Sequence, residues 1–341
     1  MTETLKIVIP TAGWATRMRP QTWSKPKPLV SVAGKAVLDH LLDVFRSLPA
    51  GMPAEYVLIL GPYLGETQIP AYLRAHHPEL TVHYALQPEM KGQSDAIYLA
   101  REFLAGPTIV IYSDTLIETD FSFLAAEPAD GVAWVKPVPD PRRFGVAEVD
   151  SQGRVTRLVE KPQSLENNLV LVGCYYFREG RDLVAAIEEQ FRRGVQRQGE
   201  YFLADAVNIW LESGRFMRIQ PVETWLDTGT IDATLETNRY LLSRLHVDKF
   251  ERSNVQVIEP VFIHESAEVS NAVIGPHVSI GPECKIENAR IEDSILEAGA
   301  TVKDAALTGS FIGRRARVEG RSAAEPPLRL NIGDDSSLSF G

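Results

Sequence analysis

The sequence predicts an α/β chain in two parts: a mostly parallel sheet covered by helices on both faces, then a triangular parallel β-helix. Two observations carry this reading. In the first half, apolar strand-like runs alternate with helical patterns, which is the rhythm of βαβ units. Beyond about residue 255 the apolar step changes to five or six residues, at Ile263, Val269, Ile274, Ile280, Ile286 and Ile291.

The elements follow in order. The run "LKIVI" (5–9) reads as a buried strand, and "VLDHLLDVFRSL" (37–48) gathers Val37, Leu38, Leu41, Leu42, Phe45 and Leu48 on one helical face. "EYVLIL", "TVHYAL" and "TIVIYSD" are further strands, separated by helical patterns at 66–76 and 93–104. Ligands of such sheets bind beyond the carboxyl ends of the strands, where both the segment after strand one and Asp114 are expected. "FGVAEVDSQGRVTRLVEKP" alternates apolar and polar residues around a turn signal and predicts a hairpin. "LVGCYYF" follows as a strand, and helical patterns return at 181–193, 203–213 and in "TIDATLETNRYLLSRL". The repeat that begins near 255 carries Ile-Gly-Pro at 274–276 and 280–282 and resembles the left-handed hexapeptide-repeat family, with an ordinary β-meander as the alternative. The tail "EPPLRLNIGDDSSLSFG" fits either a last rung or a strap.

Composition narrows the partners. With 45 acidic and 35 basic residues the formal charge is −10, which argues against nucleic acid or an acidic membrane as a partner of the whole surface. Only two cysteines occur, so there is neither a disulfide framework nor a CxxC metal site. No apolar run approaches the roughly 18 residues of a membrane span, and no leader pattern opens the chain. A soluble, cytoplasmic protein is expected.

Against that acidic background, no Asp or Glu occurs between Thr4 and Asp39, and Arg17, Arg19, Lys25 and Lys27 cluster in "TAGWATRMRPQTWSKPKPL". A loop after the first strand with small residues, Arg and Lys suits an oligophosphate. The usual phosphate fingerprints, GxGxxG and GxxxxGK[ST], are absent, so a different design is required.

The stretch "IPTAGWATRMRPQTWSKPKPLVSVAGK" resembles the signature of the nucleotide-sugar pyrophosphorylases, the sugar-1-phosphate nucleotidyltransferases. The resemblance continues in order through "LQPEMKGQSDAI", "YSDTL", "FGVAEVD…VEKP", "GEYFLADAVN" and "WLDTGT", covering roughly residues 5–245. It implies a Rossmann-like catalytic domain at 1–246 and a β-helix domain at 255–341. It also implies attack of a sugar-1-phosphate oxygen on the α-phosphorus of a nucleoside triphosphate, with pyrophosphate leaving. Two polyanions must meet, so charge neutralisation and alignment would carry catalysis.

By that resemblance Arg17 would hold the triphosphate and Lys27 would lie near the reacting phosphates. Gly13 would bind substrate in the same loop. Asp114 and Asp227 would share a Mg²⁺, a hard cation suited to carboxylates. Lys161 would neutralise the sugar phosphate, Glu160 would accept from sugar hydroxyls, Gln87 and Gly92 would read the base, and Gly145 and Gly173 would admit the sugar to the backbone. Each position also has a plain alternative: a solvated Arg or Lys, a capping Asp114, or Asp227 closing a turn at Thr228-Gly229. Arg19, Lys25 and Lys35 are expected to supply field rather than contacts, and Trp14 and Trp23 either pack or touch substrate.

Departures from the pattern are Ala15 and Ala36, where glycine and proline are usual, Thr115 after the first aspartate, and Leu171-Val172 before Gly173. If Ala15 sits at positive φ, it costs on the order of 1 kcal/mol. Glucose 1-phosphate with dTTP or UTP is the expected pair. The alternatives are mannose 1-phosphate with GTP, a noncatalytic regulatory subunit, and acetyl transfer on the β-helix through His264 or His277. The β-helix is expected to drive homo-oligomerisation.

Overall fold

The computed structural model describes residues 3–245, 254–320 and 322–340. The boundary expected between 246 and 255 falls largely outside the described residues. The chain forms two compact units, one of residues 1–13 and 41–225, the other of 14–40 and 226–341.

The first unit is built on a nine-stranded sheet. Its strands are β1 (Leu5–Pro10), β2 (Ala54–Leu60), β3 (Val82–Leu86), β4 (Thr108–Ile111), β5 (Gly131–Pro137), β6 (Gly145–Val149), β7 (Val155–Glu160), β8 (Leu169–Phe177) and β9 (Met217–Pro221). The order is β7-β6-β8-β4-β1-β2-β3, with β5 pairing β8 and β9. The ladder β4-β1-β2-β3 is parallel, as the βαβ rhythm requires, whereas β8 runs antiparallel to β4, β5 and β6. The sheet is therefore mixed, and β5 and β9 are strands that the periodicity did not bring out. The helices are α1 (Leu64–His76), α2 (Gln93–Leu99), α3 (Gly180–Arg193) and α4 (Leu203–Glu212). Trp210, Phe177, Leu183, Ile187 and Met217 are among the buried side chains that join α3 and α4 to the sheet. The pattern at 37–48 divides into an α-helix over Val37–Asp43 and a 3₁₀ turn over Val44–Ser47.

In the second unit, three parallel sheets of short strands form the faces of a left-handed β-helix. One sheet contains Val261–Ile263, Val278–Ile280, Ile295–Leu296, Phe311–Ile312 and Asn331–Ile332. The predicted six-residue positions lie directly above one another, with Ile263 on Ile280, Val269 on Ile286 and Ile274 on Ile291. They fill a continuous apolar core with Val302, Ile312 and Val318. Several corners are taken by Asn271, Asn288, Asp293 and Asp304 in the left-handed conformation, which these residue types tolerate better than most. Strands Asn331–Ile332 and Ser337–Ser339 continue two of the sheets, so the tail is a last rung. Helix α5 (Ile231–Leu242) is capped by Thr230, whose hydroxyl accepts from the Ala233 N–H at 3.2 Å. On the β-helix side, the Arg239 guanidinium of α5 meets Asp293 at 2.5 Å.

Candidate active site

The candidate residues divide between the two units. Arg17, Lys27 and Asp227 belong to the second, and Gly13, Gln87, Gly92, Asp114, Gly145, Glu160, Lys161 and Gly173 to the first.

In the second unit, the basic segment folds as two 3₁₀ turns, Thr16–Met18 and Lys27–Leu29. Ala15 begins the first in the left-handed region, at φ 46° and ψ 43°. The penalty foreseen for alanine at positive φ therefore applies. Its carbonyl accepts from the Thr22 hydroxyl and the Met18 N–H, both at 2.9 Å, which holds the turn closed. Arg17 projects from the turn and is exposed, while the buried Met18 packs with Val30, Leu235, Ile295 and Phe311. Lys27 is half-buried, between Pro26 in extended geometry and the buried Pro28. Trp14 and Trp23 are 54% and 66% exposed, so neither is packed into a core.

Lys25 corrects the sequence reading. It does not act as a remote source of field. It is 1% exposed and forms ion pairs with Glu297 and, at 2.9 Å, Asp334. Burial pushes the Glu297 carboxyl up, against the pull of Lys25 and of the Ser31 N–H. Burial also opposes ionisation of Asp334, but Ser24, Lys25 and Arg314 outweigh it and hold that carboxyl down to about 2. Part of the acid-free window is thus matched by acids 272 and 309 residues further along the chain.

Asp227 ends a short strand, and its Oδ1 accepts from the Gly229 N–H at 2.7 Å, the turn closure weighed as its plain alternative. Its carbonyl accepts from the Thr237 hydroxyl of α5 at 2.9 Å. The aspartate is thus held from both sides. The Oγ1 of Thr228, beside it, is buried without a partner.

In the first unit, Asp114 lies in the turn between β4 and the strand Thr115–Ile117, closed by the Thr115 N–H donating to the Tyr112 carbonyl at 3.0 Å. It caps no helix. Burial pushes the Tyr112 phenol well up, and the nearby Tyr175, Glu160 and Asp114 add to the effect.

Gly173 sits at φ +84° at an irregularity in the β8–β5 pairing. A Cβ there would lie 2.6 Å from the Tyr112 ring and 3.0 Å from the Thr115 hydroxyl, so the fold itself demands glycine. Thr115 in turn donates to the Val172 carbonyl at 2.8 Å. Gly145 faces Glu160 across the hairpin, and a Cβ on it would stand 3.1 Å from both the Glu160 carboxylate and Leu171. Burial pushes the Glu160 carboxyl up, while Lys161 and Arg197 pull the other way. Lys161 follows at φ 49°, its N–H donating to the Phe144 carbonyl at 2.9 Å and its ammonium 5.5 Å over the Phe202 ring. Arg197, which the sequence did not single out, is anchored on Asp205 at 2.8 Å.

Gln87 is buried, and its amide nitrogen donates to the Gly92 carbonyl at 3.1 Å and to Asp95 at 2.9 Å. Both of its N–H donors are thus engaged inside the loop, and the donor expected for a base edge serves to fold residues 87–95. Gly92, at φ +101°, lets the backbone of Tyr201 approach to 2.5 Å from where a Cβ would be. Gly13 is exposed, with nothing within 4 Å of a Cβ position.

A profile of the nucleotidyl transferase family matches residues 6–244, and one described as the GMPPB C-terminal domain matches residues 257–326. The chain belongs to the nucleotidyl transferase family, and is an enzyme of the sugar-1-phosphate nucleotidyltransferase type. It is 30% identical to a glucose-1-phosphate thymidylyltransferase of Streptomyces griseus, over 97% of this chain and 98% of that one. Over 98% of this chain and all of the other, it is 29% identical to the low-salt glycan biosynthesis nucleotidyltransferase Agl11 of Haloferax volcanii. The fold matches a putative glucose-1-phosphate thymidylyltransferase of Bacillus anthracis, solved with a sucrose, at a TM-score of 0.60 and 19% identity, over 72% of this chain and 98% of that one.

Proposed function

We propose that the enzyme joins a pyrimidine nucleoside triphosphate, dTTP before UTP, to a hexose 1-phosphate, glucose 1-phosphate first, with Mg²⁺. The reading rests chiefly on one observation: the thymidylyltransferase-like relatives match nearly end to end, β-helix included. A sugar-phosphate oxygen forms a bond to the α-phosphorus while the α–β bridging bond breaks, and pyrophosphate departs. Arg17 takes the charge of the departing pyrophosphate as a planar donor, and Lys27 neutralises the reacting phosphates. Lys161 does the same for the sugar phosphate. Glu160, held in its hairpin opposite Gly145, accepts from sugar hydroxyls.

Asp114 and Asp227 offer the hard oxygen donors that Mg²⁺ takes. Among the described residues no group of three or more His, Cys, Asp or Glu side chains could hold a metal. Mg²⁺ is commonly held by one or two carboxylates and completed by phosphate and water. When bound, it would screen the phosphate charge.

The sequence-level division into a catalytic domain (1–246) and a β-helix domain (255–341), self-association through the β-helix and a cytoplasmic location belong to the same proposal. Two free, buried cysteines and the lack, among the described residues, of a helix able to cross a membrane agree with it.

Pyrophosphate release with Mg²⁺, crossing five nucleoside triphosphates with the 1-phosphates of glucose, mannose and N-acetylglucosamine, tests the reaction. Turnover with dTTP or UTP and glucose 1-phosphate, lost in Asp114→Asn, is the expected result. Turnover confined to GTP and mannose 1-phosphate would replace the substrates, and none with any pair would remove the reaction.

A further inference from the structure

The segment that carries Lys27 is tied to the β-helix on both sides of that residue. Ahead of it, the fully buried Gln21 donates to the carbonyls of Phe311 (3.2 Å) and Ile332 (2.8 Å) and to the Asn331 side chain (3.0 Å). The Ser24 hydroxyl donates to Asp334 at 2.7 Å, and Lys25 pairs with Glu297 and Asp334. Behind it, the Ser31 N–H donates to the other oxygen of Glu297 at 3.0 Å. Asp334 is itself fixed by the Arg314 N–H and guanidinium, each at 2.8 Å. Gly333 lies so close to Pro20 that a Cβ would stand 3.1 Å away.

Two carboxylates, both 3% exposed, therefore grip residues 24, 25 and 31. Hydrophobic residues could seal this contact at less desolvation cost, and buried ion pairs are weak stabilisers relative to such packing. What the charges add is a single permitted register. A long basic loop that folded only when it met triphosphate would lose ordering entropy at that moment.

We propose that Glu297 and Asp334 of the β-helix are positioning residues for the reaction, setting the Lys27 segment in its phosphate-binding form before substrate arrives. The inference rests on the reading that Lys27 serves the reacting phosphates.

The test compares the full-length chain with Glu297→Ala, with Ile286→Ala as a β-helix core variant of similar stability loss, and with Asp335→Asn as an exposed neighbour. Steady-state constants for both substrates are measured beside amide hydrogen exchange. For Glu297→Ala we expect at least a tenfold rise in KM for the nucleoside triphosphate. KM for the sugar phosphate should stay within twofold, with faster exchange concentrated in residues 20–31. Ile286→Ala and Asp335→Asn should leave both KM values and that exchange as in the parent.

If Glu297→Ala does not fold, Lys25→Met/Glu297→Gln serves instead. It leaves no unpaired lysine and keeps an acceptor for Ser31, and it should raise exchange at residues 20–25 and the nucleotide KM severalfold. Parent-like exchange and nucleotide KM in the variant that folds would overturn the proposal, as would equal changes in Ile286→Ala. A parent enzyme that turns over no pair would defeat the functional reading alone. Loop exchange would still decide whether the β-helix holds the segment.

Discussion

The basic segment at 14–40 and the hairpin at 144–161 are both substrate-facing candidates, yet they are held in place by opposite means. The hairpin is local. Glu160 faces Gly145 within one two-stranded ladder, and the turn between the strands is closed by Asp150, which accepts from the Gln152 and Arg154 N–H groups. The basic segment has only short local elements, the turns Thr16–Met18 and Lys27–Leu29 and the strand pair Ser31–Val32 with Lys35–Ala36, and is anchored from afar by carboxylates and carbonyls of residues 297–334. Of two lysines two positions apart, Lys25 is bound into this contact, whereas Lys27 is the one proposed to meet the reacting phosphates; their charges alone do not tell them apart.

The largest expected effects separate these two lysines. Lys25→Met leaves the buried Glu297 without its cation, while Asp334 keeps Arg314, and should cost about 3–5 kcal/mol of stability, read from the urea midpoint. Lys27→Met should cost under about 1 kcal/mol and lower turnover by roughly 10²-fold or more. If the two variants lose stability and activity in the same proportion, the distinction between anchor and reactant-facing lysine fails.

The difference between the two regions also explains what the sequence disclosed. The hairpin, the parallel ladder β4-β1-β2-β3 and the β-helix step are periodic features, and short-range periodicity is written into neighbouring residues. Strands β5 and β9 escaped because their partners lie far along the chain and because runs such as "GVAWVKP" lack the alternation of a half-buried strand. The Lys25–Glu297 pair escaped for the same reason, since nothing near either residue names the other. One faint signal exists: Glu297 follows Ile295-Leu296 inside the repeat, an acid almost without solvent access. Gln87 was found as a residue but misjudged in its hydrogen bonds, because Asp95 claims its donor only once α2 has formed.

Gly173→Ala probes the strand beside the hairpin, β8. Its Cβ would lie 2.6 Å from Tyr112 at a φ that alanine disfavours, so a loss of about 2–4 kcal/mol is expected. Because Tyr112 lies beside the Asp114 turn, turnover should fall as well. An unchanged melting temperature would show that this turn gives way easily and is not the rigid counterpart of the hairpin.

Acid should weaken the basic segment more than the hairpin, whose turn carboxylate Asp150 is held down less strongly. The carboxyl of Asp334 is held down to about 2 from an ordinary value of 3.8. Its depressed value means that its contribution is present above about pH 4 and is lost as pH falls toward 2. The amount is about 2 kcal/mol at 1.36 kcal/mol per unit. Exchange at residues 20–31 should rise in that window, and Asp334→Asn should abolish the dependence. An acid response in the hairpin as large as that of the basic segment would contradict this.

The smallest effect concerns Ala15, the one departure from the family pattern at which the backbone itself is disfavoured. At φ 46° a non-glycine residue pays roughly 1–2 kcal/mol, whereas glycine adopts this region freely but loses about 0.4–1 kcal/mol through its more flexible unfolded chain. Ala15→Gly should therefore stabilise the protein by between about 0 and about 1.6 kcal/mol, seen as a small rise in the urea midpoint. The Thr22 hydroxyl and the Met18 N–H already hold the Ala15 carbonyl, so the turn should keep its shape and the nucleotide KM should stay within twofold. A large drop in KM would mean that the alanine side chain, and not the backbone, limits access to the loop. The β-helix would then anchor a segment whose mouth is narrowed by a single methyl group.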